Sequence, residues 1–203
     1  FKPYGSALRS EKGEKMINLL FEPLPDTVEV SGSFYKIATD FRDWIAFFDM
    51  VADEEITSRQ KISLALQWFT DEIPPDIFQA YNSLISFASC DGIHFKSESE
   101  KSENSPETPS LSWLYDSAYV LGAFRQVYNI DLIRVDYMHW WEFSALFEAL
   151  PEDTMIKKRM AYRQIKTSEI KDKNERKRIA KIKRSVAFPH APMSAEQTAQ
   201  AFS

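Results

Sequence analysis

Residues 137–150, YMHWWEFSALFEAL, form a run whose apolar side chains do not keep to one side of a helix. At about 100° per residue, Asp136, His139, Trp140, Phe143, Leu146, Phe147 and Leu150 share one broad face. Met138, Trp141, Ala145 and Ala149 form a second face, with small residues that let another element come close. Only Tyr137, Ser144 and Glu148 are left for water. A helix apolar nearly all round must be enclosed by other elements. The chain therefore has to build a multi-helix core with this segment at its centre. His139 on that face reads as a core histidine, because a buried imidazole needs a hydrogen-bond partner.

The flanking sequence supplies the enclosing elements. TVEVSGSFYKIAT alternates β-branched and aromatic residues around Ser31-Gly32, which predicts a hairpin pairing 27–31 with 33–38. TDFRDWIAFFDMVAD predicts a helix capped by Thr39 or Asp40, with Phe41, Trp44, Ile45 and Phe48 inward. A helix capped by Thr57 or Ser58 should bury Ile62, Leu66 and Phe69. The next opens with Pro74-Pro75 in its first turn, stops at Asp91-Gly92 and carries an inward stripe of Ile77, Tyr81, Leu84, Ile85 and Ala88. YDSAYVLGAFRQVYNID is read as a helix capped by Asp116. EDTMIKKRMAYRQI follows Pro151, and a last basic helix, KDKNERKRIAKIKRSVAF, has a narrow Ile179, Ile182, Val186 stripe. The expected fold class is mainly α, a helical bundle of about six to seven helices with an N-terminal β-hairpin.

Residues 1–15 carry none of the patterning that begins after Met16, and are set apart as an upstream or non-native extension. Residues 16–155 make an acidic helical body, interrupted at 96–110 by a polar Ser/Glu loop, KSESEKSENSPETPS. Residues 156–190 make a basic C-terminal helical arm, and 191–203 a tail. The charge is strongly divided: Lys157 to Arg184 hold 13 basic against three acidic side chains, a net of +10, which leaves −15 to the rest of a chain that is −5 overall.

Chemistry-bearing motifs are sparse. Five glycines form neither G-x-G-x-x-G nor a P-loop. The single cysteine, Cys90, excludes an intramolecular disulfide and a cysteine zinc cluster, and fits a reducing compartment. Besides His139, only His94 and His190 could join a metal site, and none stands at i, i+4 spacing. Ser168-x-x-Lys171 matches a nucleophile pattern without its companion motifs. Asp53-Glu54-Glu55 is explained by acids placed where helices begin. Cys90 as a nucleophile would need His94 within reach. The expectation is no enzyme, no cofactor, no metal and no membrane span.

The basic arm has three readings. It is a solvated amphipathic helix with pairs such as Glu175 with Lys171 or Arg178, a docking element for an acidic partner or second copy, or a phosphate-backbone binder. For the last, the arm lacks aromatic interleaving and any groove-reading motif.

Several segments, in order, resemble a siphophage family known as bacteriophage gene product fifteen. They are MINLLFEPLPDTVEVSGSFYKIATDFRDWI at 16–45, EIPPD at 72–76, YNIDL at 128–132, YMHWWEFSALFEALPEDT at 137–154 and YRQIKTSEIKDK at 162–173. The resemblance spans about 16–190. It implies a gene of the tail-morphogenesis cluster of phages and prophages of Gram-positive bacteria, beside the tape-measure gene, and a protein of the host bacterial cytoplasm. It carries over no catalytic residues. A tail assembly chaperone for the tape-measure protein is the first functional expectation, with apolar grooves between helices for amphipathic client segments. A structural tail or connector component retained in the virion is the second, and a nucleic-acid-binding accessory protein the third. Expected partner-binding residues are Trp44, Phe48, Trp68 and Trp141 among the aromatics, with Trp140 and Phe143 as core, and Arg176, Lys177 and Arg178 in the arm. Head-to-tail self-association of acidic body and basic arm is a further expectation.

Overall fold

Ser31 and Gly32 both adopt positive φ, 51° and 81°, the backbone a two-residue primed turn demands. That turn joins β1 (Thr27–Val30) to β2 (Ser33–Lys36) in the antiparallel register Val30↔Ser33 through Thr27↔Lys36. The computed structural model describes residues 17–93 and 109–189. The readings made for 1–15, 96–108, 191–203, His94 and His190 lie outside those residues. Seven α-helices follow the hairpin among the described residues: α1 (Phe41–Ala52), α2 (Ser58–Ala65), α3 (Ile77–Ala88), α4 (Trp113–Tyr128), α5 (Trp140–Glu148), α6 (Met155–Gln164) and α7 (Lys173–Val186). The mainly α fold with an N-terminal hairpin is thus the fold observed.

The elements gather into two compact units. The first holds the hairpin, α1 to α3, α5 and α4 from Phe124 onward; the second holds α4 up to Ala123, then α6 and α7.

In the first unit, local chemistry sets each helix start and tertiary contacts choose its face. Asp40 caps α1 by accepting from Arg42 N–H, and Thr57 caps α2 in a reciprocal capping box with Gln60. α1 buries Phe41, Trp44 and Phe47, so Phe47 takes the inward place expected of Phe48, and Ile45 and Phe48 are half-buried. α2 stops at Ala65, and a 3₁₀ turn (Leu66–Trp68) leads into Phe69, which is buried by bridging Ile37 rather than on a helix face.

α3 begins at Ile77, not at the prolines: Pro75 disfavours a helical Pro74, and Asp76 supplies the cap to Gln79 N–H. Its buried residues are Ala80, Leu84, Phe87 and Ala88, whereas Ile77 is 47% exposed and Tyr81 and Ile85 are half-buried. The hairpin fixes this rotation, with Ser83 donating to Glu29 C=O at 2.7 Å.

The aromatic core of this unit is continuous. Phe143 stacks on Phe41 at 4.7 Å and on Phe124 at 5.1 Å, while Trp44 lies 4.7 Å from Phe87 and 5.1 Å from Phe47. Such pairs add about 0.5–1.5 kcal/mol each beyond their buried area.

The second unit is organised around a charge. Asp116 is fully buried within α4, so its expected capping role is corrected. Its carboxylate takes a two-pronged pair of bonds from Arg163, at 2.6 and 2.8 Å, and a third from Arg159 Nε at 3.3 Å. Arg159 and Arg163 stand four apart on α6, so one helix face delivers both guanidiniums. Burial alone would raise the Asp116 pKa, yet these bonds and the Ser112 N–H hold it below the ordinary carboxylate value. Arg163 also donates to Val186 C=O and Ser110 C=O and stacks 3.9 Å over the Phe188 ring. It therefore ties the end of α7 to the start of α4.

Candidate partner-binding groove

The tandem tryptophans at 140–141 begin α5 rather than sit in its middle. His139 is the N-cap: its Nδ1 accepts from Trp141 N–H at 3.0 Å, so the expected helical face for His139 is corrected to a capping position. The histidine is 5% exposed and does have the partner a buried imidazole needs. With Nδ1 accepting, Nε2 carries the proton and donates to Pro25 C=O at 3.0 Å. Burial holds the His139 pKa below its usual value, in keeping with a neutral ring.

Once α5 starts at Trp140, the two indoles turn to one target. Trp140 Nε1 donates to Ala88 C=O and Trp141 Nε1 to Phe87 C=O, each at 2.9 Å. These are the last carbonyls of α3, which a helix end leaves short of intrahelical donors. The pair seals the C-terminus of α3, and Cys90, at φ 55°, then turns the chain into Asp91-Gly92. Burial pushes the Cys90 thiol up to about 11, opposite to what a nucleophile needs. Asp53 lies after the C-terminal end of α1, not at a helix start as expected, and its carboxylate accepts from Glu55 N–H.

Against this sealed end lies a groove of about 390 Å³. Its apolar lining comes from Ile17, Pro25, Val28, Phe87 and Trp141, and its polar margin from Thr27, Glu29, Ser83, Ser86 and Asp91. Gly92 is required there: a Cβ on it would stand 2.6 Å from Cη2 of Trp141. Ile17 N–H donates to Gly92 C=O, and Ser86 Oγ to Asp91 Oδ2, which pins that wall. The groove runs between a strand and a helix, whereas the sequence had suggested a cleft between helices.

The residues expected to meet a partner are distributed as follows. Trp141 is 4% exposed and lines the groove. Trp44 is fully buried and donates to Ala38 C=O. Trp68 is half-buried and donates to Asp43 C=O, and Phe48 is half-buried 5.6 Å from Trp140. Phe47 joins Trp44, Phe48 and Trp68 into one cluster. In the second unit Arg176, Lys177 and Arg178 are exposed on α7. Arg176 donates twice to Ile170 C=O, and Arg178 makes a two-pronged pair with Glu175. Thr27, Glu29 and Gly92 also line the groove without being expected to: the hairpin pattern marks the first two and the Asp91-Gly92 helix stop the third, but neither signal says that they meet.

Among the described residues no group of three or more His, Cys, Asp or Glu side chains could hold a metal ion, and no helix is long and apolar enough to cross a membrane.

Compared with known proteins, residues 20–188 match the family model described as Bacteriophage Gp15 protein. No curated protein and no solved structure matches the chain.

Proposed function

The chain belongs to the bacteriophage Gp15 family, which makes it a phage-related structural or morphogenesis protein, and from that we propose that it is a tail assembly chaperone for the tape-measure protein. It would hold that long helical client in the host cytoplasm until tail tube subunits replace it. It would act without catalysis or cofactor, through protein contacts alone.

The single observation that carries the reading is the family match over residues 20–188, taken with the position beside the tape-measure gene that the resemblance implies. The groove lends support, as an open apolar surface with a polar margin suits reversible capture of a chain segment. The third expectation, nucleic-acid binding by the arm, loses support because several of its cations already have acceptors within the second unit. Arg159 and Arg163 serve Asp116, Arg178 serves Glu175, and Lys183 donates to Ile165 C=O.

Co-expression with the neighbouring tape-measure protein, followed by pull-down at two salt concentrations, tests the proposal. A soluble complex with many copies per client supports it. No complex, with the protein instead present in purified virions, overturns it in favour of a structural tail component.

A further inference from the structure

The two edges of the hairpin are treated differently. Along β2, the chain after α2 covers the outer edge: Ala38 N–H donates to Trp68 C=O and Thr70 N–H to Lys36 C=O, with Phe69 bridging Ile37. Along β1 the outer edge opens into the groove. Antiparallel pairing alternates hydrogen-bonded and non-bonded residue pairs. Ile37 N–H bonds Asp26 C=O, so positions 26, 28 and 30 face β2, and the amides of Thr27 and Glu29 turn outward. Ser83 Oγ takes the Glu29 carbonyl from that side, as this parity requires. Among the described residues, no protein acceptor meets the N–H of Thr27 or Glu29.

We propose that this groove binds an extended segment of a partner protein with alternating apolar and basic side chains, which adds as a further strand to the free edge of β1. The outward amides of Thr27 and Glu29 and the Thr27 carbonyl supply the register, the Glu29 carbonyl being held by Ser83 Oγ, in the mode by which sheet edges capture peptides. Side chains on the Val28 face of the new strand reach the apolar floor of Phe87 and Trp141. Those on the other face meet Glu29, whose carboxylate is exposed and has no ion-pair partner among the described residues. Asp91 adds a second carboxylate to the lining, and among the described residues no lysine or arginine lines the groove. A second copy of β1, TVEV, fits less well, since it brings a further glutamate and no basic side chain to the Glu29 and Asp91 carboxylates. The inference concerns the kind of segment captured and does not rest on the tape-measure protein being its source. Its failure would leave the chaperone reading to be judged by the co-expression experiment.

The test uses the full chain labelled with ¹⁵N and a capped octapeptide alternating valine and lysine. Saturable shifts at the Thr27 and Glu29 amides are expected. The same peptide N-methylated at valines and lysines alike keeps the side chains but loses backbone bonding in either strand direction, and should bind about tenfold more weakly. A valine–glutamate octapeptide should show a similar loss. Thr27→Pro removes one outward N–H without touching the β1–β2 ladder, and should weaken binding about as much as N-methylation. Glu29→Lys, an exposed change that leaves the core intact, should cost about fivefold. Absence of shifts at Thr27 and Glu29 up to the peptide's solubility overturns the proposal. So does equal binding by the N-methylated or glutamate peptide, or a doubling of protein mass without peptide that Thr27→Pro abolishes.

Discussion

Replacing Asp116 by alanine should be far more damaging than the capping role read from the sequence suggests. Asp116 is fully buried, and its partner Arg163 has a side chain only 5% exposed. Removing the carboxylate leaves a buried guanidinium whose charge has no counterpart, since its other acceptors, Val186 C=O and Ser110 C=O, are neutral. Breaking a buried pair in this way typically costs about 3–5 kcal/mol. Arg159, with 16% of its side chain exposed, can relax toward water and adds little to that loss. For a chain of this size the penalty corresponds to a fall in Tm of roughly 10 °C, taking about 2–4 °C per kcal/mol. Circular dichroism melts of Asp116→Ala, Arg163→Met and the double variant Asp116→Leu/Arg163→Met would measure it. The double variant should recover much of the loss, because an apolar pair of similar volume removes the orphaned charge. A single variant that melts within 2 °C of the parent, scaled by the same slope, would refute the reasoning. So would a double variant no better than the worse single one.

Other expectations follow from the same geometry. His139 holds a folded pKa below its ordinary value near 6.5, so the unfolded chain binds more protons as pH falls; stability should be full above that value and decline below it. His139→Asn, which can still cap α5, should flatten that part of the stability–pH curve measured by urea unfolding. Asp116 has the opposite protonation chemistry but the same direction. Its lowered pKa contributes stability above the ordinary carboxylate range that is lost toward strong acid, and an acid titration of Asp116→Asn should lack that step. Trp140→Phe leaves Ala88 C=O without its indole donor and should cost about 1–3 kcal/mol in urea unfolding, with α3's end the first region to lose amide protection. Cys90, buried and pushed up to about 11, should react with iodoacetamide at pH 8 only when the chain is unfolded; fast labelling of the native protein would contradict its burial.

Short-range chemistry made much of this fold legible. Ser31-Gly32 between alternating segments specifies a tight hairpin, and Asp40 and Thr57 cap their helices through side-chain oxygens facing nearby amides. The Ile179 and Val186 stripe of α7 is likewise a local periodicity that packing used. What the linear pattern could not settle was which neighbour each face would meet. Phe47 rather than Phe48, and Ala80 rather than Ile77, point inward because α1 and α3 rotate to fit partners many residues away.

The sharpest misplacements were polar. An aspartate near a helix start reads as a cap, and arginines in a basic run read as solvated. Only the fold brings Asp116 to Arg163, 47 positions apart, into a site where neither could remain alone. The groove is of the same kind, since among the described residues Phe69 returns to bridge β2 while the outward amides of Thr27 and Glu29 on β1 meet no protein acceptor. The sequence determined the elements, which depend on contacts a few residues long, while the end of α2 and the starts of α3 and α5 fell elsewhere than the pattern placed them. Tertiary structure alone decided helix rotation, charge pairing and the exposed strand edge, because those depend on the burial of surfaces far apart along the chain.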